Sequence, residues 1–369
     1  MKTVRRLLYR DIVASVVFVA LAFLSLFYFI DFVDELEGVG SRGRTAWHAL
    51  LAAALELPGH FYELFPIAVL IGTIYSLARL AQSSEFTILR TGGLGPGRAL
   101  SLLAVLGVVF GAVTFLMGDY LAPVAERERV RLKARFSGGI HLAGAGAWLK
   151  ERRNTPDGEH SWSVNVAGTG AGGALLGIRI FEFDADGRMV ARTEAREGQV
   201  DSDGNWRLSD AVVTHWPRPR SEDAQVRVER VATLVWPSSL SAAVVAAAVL
   251  PVSTMTTADL YRYSDHLSHQ EQAAQQHQIR FWRKALYPLA CLVMMALALP
   301  FAYMHARSGS LSLKVFGGIM LGISFVLLNN LSGHIGLLRG WTPWLAAATP
   351  SLLYLLLSMA AFAWLVRYR

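Results

Sequence analysis

The chain predicts an α-helical polytopic membrane protein with six transmembrane helices and one inserted all-β domain. Three observations carry that reading. Uncharged apolar stretches near the roughly 20 residues that cross a bilayer core recur at both ends of the chain. The interval between the third and fourth of them switches to period-two alternation with turn chemistry. Lys and Arg collect in the short loops that would share one side of the membrane.

Five stretches are long enough alone: Ile12 to Ile30, Ala99 to Gly118, Ala285 to Met304, Val315 to Leu338 and Trp341 to Val366. A sixth, Leu64 to Ala78, is short by itself, but the apolar Leu50 to Leu55 leads into it through Glu56 and Glu63. Six spans place both termini on one side. With the N-terminus cytoplasmic, the inside segments carry Lys2, Arg5, Arg6, Arg10, Arg79, Arg90, Arg98, Arg307, Lys314, Arg367 and Arg369 against Asp11 and Glu85, a net +9. The formal net charge is +7, so everything else sums to −2, and the positive-inside rule puts both termini in the cytoplasm. Because the basic excess sits in short loops where it sets topology, it does not argue for nucleic-acid binding. The first stretch is a full span followed by Asp31, Asp34, Glu35 and Glu37 with no small-residue cleavage site, so it is expected to stay in the mature protein. Cys291 is the one cysteine, which excludes an intrachain disulfide and a cysteine-based metal site.

The soluble interval runs from about Ala122 to Gln278. Alternation in Ser161 to Val166, Ala174 to Phe183, Arg188 to Val200, Trp206 to Trp216 and Gln225 to Trp236 predicts short strands. Turns such as Asp184-Ala185-Asp186-Gly187 and Asp201-Ser202-Asp203-Gly204 separate them. An antiparallel β-sandwich or an open barrel satisfies this pattern. Leu240 to Leu250 is apolar but about half a span long, which suits a buried strand or an apolar surface segment. Thr256 or Thr257 is expected to cap a polar helix, with Asp259 in its first turn, that runs to about Gln278 and returns the chain to the membrane. His266, His269 and His277 lie along it at no standard metal-ligand spacing and read as solvated linker histidines.

Catalytic motifs are missing where they would be expected. The sequence has no G-x-x-x-x-G-K-[ST] loop, no H-E-x-x-H and no G-x-S-x-G. Its glycine clusters, Gly92 to Gly97 and Gly168 to Gly173, lack the flanks of a phosphate cradle. Energy from nucleotide hydrolysis must therefore come from another subunit. The cytoplasmic loop Arg79 to Gly93 offers a docking element: Ser83 or Ser84 can cap a short helix that Gly92 ends, with Phe86, Ile88 and Leu89 set against a partner. An ordinary loop helix is the plainer reading.

Two further features point to ligands or interfaces. Arg127, Arg129, Arg131, Lys133 and Arg135 follow the third span on the side where the positive-inside rule predicts few cations, which suggests an anionic ligand. A solvated helical extension paired with Glu126 and Glu128 is the alternative. Ser324, Asn329, Asn330, Ser332 and His334 in the fifth span are costly to face lipid, and Gly317, Gly318 and Gly322 permit close helix approach.

Taken together, several segments resemble one family. The first-span exit Ile30-Asp31-Phe32-Val33-Asp34-Glu35-Leu36, Phe65-Pro66 in the second span, the Ala81-Gln82-Ser83-Ser84-Glu85 loop, Leu121-Ala122-Pro123, and Trp282, Lys284 and Pro288 at the fourth span are similar to lipopolysaccharide-export permeases of the LptF/LptG type. The first-span exit and the fourth-span entry favour the LptG branch.

The resemblance implies membrane helices over 1–121 and 278–369 around a periplasmic β-jellyroll-like domain over 122–277, in a bacterial inner membrane. It implies a heterodimer with an LptF-like permease on two cytoplasmic ATPase subunits, with a single-span LptC-like protein and an LptA-like periplasmic bridge downstream. No cofactor is expected on this chain, since ATP is used by the partner subunits. Ser84, Glu85, Phe86 and Leu89 would couple to the ATPase, and spans one and five would form lateral gates through Phe27, Ile30, Phe325 and Asn329. Phosphates of the lipid headgroup would be held by the five cations after span three together with Arg280, Arg283 and Lys284, arginine being suited to bidentate phosphate contacts.

The resemblance departs at the first-span exit, where better-known LptG members carry lysines and this chain has Asp31, Glu37 and Gly38. Arg42 and Arg44 lie close enough to compensate. A substrate with fewer phosphates, or a divalent cation bridging at the carboxylates, would also fit. A membrane-anchored sensor or scaffold is the alternative class, but it has no need of an ATPase-docking helix. An intramembrane hydrolase would need paired acids or a nucleophile and base within the spans, and these are missing.

Overall fold

The computed structural model describes residues 2–40, 43–83, 85–93, 95–137, 140–141, 146–155, 158–169, 174–201, 205–217, 225–238, 240, 254–269, 274–303 and 311–367. Two compact units emerge: a helical unit of Met1–Val39, Thr45–Glu126 and Gln278–Arg369, and a second unit of Gly40–Arg44 and Arg127–His277.

In the helical unit, α1 (Lys2–Leu36) and α2 (Ala46–Gln82) run together. Leu8, Ile12, Val16 and Ala20 recur every four residues, so they form one stripe, and that stripe is buried. It meets α2 at Gly72, where the missing side chain lets the backbone approach that of Val16. By contrast α2 is buried almost continuously from Phe65 to Leu80. After the short α3 (Glu85–Thr91), α4 (Pro96–Leu116) starts with proline in its first turn, where a missing N–H costs nothing.

A π-helical turn (Met117–Leu121) then leads into α5 (Ala122–Ser137). Gly118 in that turn faces the ring of Tyr62 at a distance that leaves no room for a Cβ.

The fourth crossing departs from expectation. Instead of one straight span from Ala285, α7 (Ala274–Leu286) and α8 (Leu289–Tyr303) meet at a bend of 54°. Pro288 lies in the break and has no N–H to continue the helical ladder. α8 is the buried centre of the unit and packs on α2, α4 and the helix Pro343–Arg367. α9 (Leu311–Leu338) and α10 (Pro343–Arg367) complete it. Gly318 and Gly322 of α9 sit against Ile74 and Ile67 of α2, whereas Gly317 has no such close neighbour. Five helices are long and apolar enough to cross a membrane, and the bent α7–α8 pair is a sixth if it counts as one span.

The second unit is built on an antiparallel sheet of β1 (Ile140–His141), β2 (Ala147–Thr155), β3 (Gly158–Thr169), β4 (Leu175–Phe183), β5 (Met189–Val200), β6 (Trp206–His215) and β7 (Arg227–Trp236). From β2 to β7 each strand pairs with its sequence neighbour, and β1 lies beyond β2 along the same edge of β3. The β4–β5 turn shows why the register holds. Asp184 Oδ1 accepts from the backbone N–H groups of Asp186 and Arg188, and Gly187 takes φ +76°, with a bulge at Glu182/Phe183.

β2 and β7 lie at opposite edges of the sheet, yet Ser238, just past β7, donates to Glu151 of β2 at 2.7 Å. The sheet therefore curls over its buried face. Leu149, Trp162, Val164, Ile178, Trp206 and Leu208 fill that face.

α6 (Thr257–His269) begins with a reciprocal cap: the Asp259 N–H donates to Thr256 Oγ1, and the Thr256 N–H donates to Asp259 Oδ2, each at 3.1 Å. Of the helix expected to reach Gln278, α6 is described to His269 and α7 from Ala274, and residues 270–273 between them lie outside the described residues. Of the apolar Leu240 to Leu250, Leu240 is buried and the rest lie outside the described residues. His266 and His269 fall in the last turns of α6, while His277 is on α7, packed edge-on against Tyr263.

Candidate functional site

Several helices of the membrane unit keep an open apolar face, α1 and α9 the widest. In α1 only the inner stripe is buried, and Phe18, Leu21 and Phe29 are 72, 59 and 64 % exposed. In α9 the glycine-lined side packs inward, leaving Phe316, Met320, Ile323, Leu327 and Leu331 as an exposed stripe at helical spacing. Of the expected gate residues, Ile30 is exposed and Phe27 is half-buried with its ring 4.9 Å from that of His60. Asn329 is also half-buried. Phe325 does not fit the expectation: it is 2 % exposed and packs edge-on against Tyr354 inside the unit. The α9 face open to another molecule is therefore the Phe316-to-Leu331 stripe, which the three- and four-residue recurrence of large apolar side chains already encoded.

Several span-five polar groups join helices within the unit. Ser324 shares a hydrogen bond with the Tyr354 hydroxyl at 2.6 Å, and Asn330 Oδ1 accepts from Arg283 at 2.8 Å. His334 bonds back to the Asn330 carbonyl of its own helix.

The loop from Arg79 to Gly93 does form a helix, α3. Glu85 is exposed in its first turn, Gly92 N–H closes it on Ile88 O, and Gly93 takes φ +97°. The assignment of its apolar side chains reverses, however. Phe86 is 3 % exposed against the Tyr303 ring, and Leu89 packs on the same core, so these two fasten α3 to its own membrane unit. Ile88, 66 % exposed, projects outward. Ser84 lies outside the described residues.

The basic run is helical, part of α5, so Arg127, Arg131 and Arg135 share one face and Arg129 and Lys133 another. Arg127 is committed to the connector: its Nε donates to Thr254 O at 3.1 Å, and a terminal nitrogen reaches Asp259 Oδ2, the cap of α6, at 3.3 Å. Arg131 pairs with Glu128 one turn back while remaining exposed, and Arg135 is exposed. In the helical unit, Lys284 lies 3.8 Å from Asp119 with both side chains largely buried, Arg283 holds Asn330, and Arg280 is exposed.

On the inner face of the curled sheet, a cavity of about 250 Å³ is walled by Trp162, Ile180, Ala191, Val213, Leu234 and Trp236, with Glu182, Thr193, His215 and Glu229 also lining it. Ligand pockets commonly span about 300–1,000 Å³, so this one accommodates part of a chain rather than a whole lipid. Beside it Glu151, fully buried, accepts from Ser238 and lies 3.0 Å from Arg153 Nε, in ion-pair contact rather than a well-aligned hydrogen bond. The Arg153 guanidinium sits 4.4 Å over the Trp162 ring and 5.6 Å from that of Trp236. The sequence does not distinguish Arg153 from the exposed Arg152 beside it. Glu151 lies two residues after Leu149 and so shares its buried face of β2, opposite Trp162 in register.

These features define a polytopic membrane protein with open apolar helix faces and an inserted, curled β-sheet. The chain belongs to the lipopolysaccharide export system permease LptF/LptG family, whose model matches residues 6–367. It is 25 % identical over 353 residues to the lipopolysaccharide export system permease protein LptG of Escherichia coli (strain K12), covering 95 % of each chain. It is 27 % identical over 361 residues to the protein of the same name from Haemophilus influenzae (strain ATCC 51907 / DSM 11121 / KW20 / Rd), covering 96 % of each.

Proposed function

We propose that the chain is the LptG-type permease of an ABC exporter that extracts lipopolysaccharide from the outer leaflet of the bacterial inner membrane. The observation that carries this reading is the wide exposed face of α1 and α9. Their most apolar stretches are 17 and 22 % buried, against 78 % for α2, so both helices keep a face open to something outside the chain. Lipid alone would tolerate that face, but family membership favours a lateral gate made by α1 and α9 with an LptF-like partner.

In this proposal the bent α7–α8 pair is the fourth of six crossings, both termini are cytoplasmic and the sheet is periplasmic. The curled sheet would be a jellyroll-like conduit whose inner face takes acyl chains. Cargo would pass to an LptC-like protein and an LptA-like bridge. Two ATPase subunits would drive the cycle through Glu85 and Ile88. A scaffold that only anchors a β-domain has no use for the exposed Glu85 and Ile88 of α3.

The test uses the chain assembled with its partner permease and ATPase subunits. Glu85→Lys and Ile88→Asp are expected to lower lipopolysaccharide-stimulated ATP hydrolysis by about tenfold or more, as loss of an interface anchor does, while the permease itself stays folded. Phe86→Ala is expected instead to destabilise the permease. Unchanged coupling in both Glu85 and Ile88 variants would contradict the docking role.

The basic helix makes a separate expectation. Arg131→Gln and Arg135→Gln should each weaken lipopolysaccharide binding by about 1–3 kcal/mol if they bond phosphate. Arg127→Gln should also lower thermal stability, because it releases the α6 cap, and the exposed Arg152→Gln should do neither. Equal, negligible effects at Arg131 and Arg135 in equilibrium binding would reduce them to a solvated face.

A further inference from the structure

The sheet has a second face, opposite the core of Trp162 and Leu208, and its side chains are ordered by the strand register. Pairing sets Trp148, Asn165, Arg179, Glu194, Val212 and Arg230 in one cross-strand row, and Lys150, Ser163, Phe181, Arg192, Thr214 and Val228 in the next. Across these rows the Trp148 and Phe181 rings stack, with centroids 5.9 Å apart and planes at 22°, and the Arg192 guanidinium continues the stack 5.7 Å from Phe181. Trp148 is nevertheless 51 % exposed.

Beside the first row the ladders skip one position in common. Gly177, Arg196 and Asp210 lie opposite one another without pairing, although the register is the same on either side. Gly177 takes φ +60° and Asp210 φ +52°, Asp210 being the one non-glycine with positive φ among the described residues. A cavity of about 260 Å³ lies there, with Arg179, Glu194, Arg196, Asp210 and Val212 in its wall. Pockets for drug-sized ligands begin at about 300 Å³, so this one takes a single ring with its charged substituent.

Three features select the ligand. The π-face of Trp148 is negative and attracts the C–H bonds on the flat side of a sugar ring. Lys150, Arg179, Arg192, Arg196 and Arg230 outnumber Glu194, which Arg179 and Arg192 already share, and Asp210, so the face favours an anion, and arginine forks match phosphate oxygens in pairs. The exposed Asp210 carboxylate accepts from hydroxyls, which a bare phosphate group does not supply in number. A lipid surface would call instead for protruding aliphatic side chains, and Val228 is the one exposed apolar aliphatic in the two rows.

We propose that this face, from Trp148 to the Asp210 cavity, binds the phosphorylated saccharide of lipopolysaccharide. The inference rests on the export reading and extends it. Acyl chains held on the inner face leave the sugars of the same molecule outside the sheet, and Trp148 stands on β2, an edge strand over which they would pass.

The full chain in detergent is titrated by calorimetry with the lipid-free oligosaccharide released from lipopolysaccharide, with the same oligosaccharide after phosphatase treatment, and with inorganic phosphate. Saturable binding is expected for the first. Phosphatase treatment, Arg179→Gln and Trp148→Ala should each weaken it by about tenfold, the effect of losing one strong contact, while Arg262→Gln, exposed on α6, should match the parent chain. Thermal unfolding reports whether each variant folds. No binding of the oligosaccharide by the parent chain, parent-like affinity in both variants, or equal binding of inorganic phosphate would overturn the proposal. Lipopolysaccharide-stimulated ATP hydrolysis by the assembled exporter separates the two readings: stimulation without oligosaccharide binding removes this site alone, whereas no stimulation removes the export reading on which the assignment rests.

Discussion

Gly72→Val is expected to leave little or no monodisperse protein. A Cβ at Gly72 would lie 2.6 Å from Val16 Cα, 2.7 Å from Val16 N and 2.9 Å from Ser15 C, all of them backbone atoms of α1. Backbone cannot rotate aside as a side chain can, so α1 must move away. Its hold on α2 is the narrow stripe Leu8, Ile12, Val16 and Ala20, and a displacement there loosens the whole attachment. Gly72→Ala, adding one methyl, should cost about 1–3 kcal/mol as an overpacked contact. Gly59→Ala on the same helix meets nothing within 4 Å and should be neutral or stabilising, since glycine in a helix interior costs about 0.5–1 kcal/mol relative to alanine. Detergent size-exclusion profiles and thermal unfolding of the three variants check this order. Parent-like behaviour of Gly72→Val would mean that α1 and α2 are not packed in this way.

The next largest effect is expected in the second unit. Glu151→Ala removes the acid of a buried cluster and leaves Arg153 held between Trp162 and Trp236 without its counter-charge. Breaking one side of a buried pair costs about 3–5 kcal/mol. Because the Arg153 side chain is 30 % exposed, water screens the orphaned charge and the loss should fall at the low end of that range. The same change frees Ser238 and so weakens the curl that joins the sheet's two edges. Tryptophan fluorescence during thermal unfolding of the full chain reports on it directly, with Arg152→Ala as the exposed comparison. A midpoint shift no larger than that of Arg152→Ala would show that the cluster is not holding the sheet.

Much of the architecture was legible because single residues carry strong local preferences. Continuous apolar runs gave the long helices, and alternation placed β4 to β6 within a residue or two of their observed limits. Thr256 and Asp259 announced the start of α6. Asp184 and Gly187 announced the hairpin.

The misses arise where tertiary packing decides. Hydropathy does not register a 54° bend, so the apolar run from Ala285 does not by itself reveal the break at Pro288. The short helix after Ser83 was legible, but the side it turns inward was not: a seven-residue segment spans only about two turns, and which side meets the membrane unit depends on Tyr303, more than two hundred residues away. The same limit separated Phe325, which is buried on Tyr354, from the outward stripe around it. No local pattern could have joined Glu151 to Ser238, because the pair forms only when distant elements fold together.

Export makes its sharpest demand on the open faces of α1 and α9. Photoreactive residues at Phe29 and Leu327 can be compared with Leu356 of α10, which is also exposed, and with Leu70 of α2, which is buried. In membranes containing the assembled exporter, lipopolysaccharide adducts are expected at Phe29 and Leu327, falling when ATP is supplied and persisting when the ATPase subunit cannot hydrolyse it. Adducts equally strong at Leu356, indifferent to ATP, would mark ordinary lipid contact and contradict a lipopolysaccharide gate at α1 and α9.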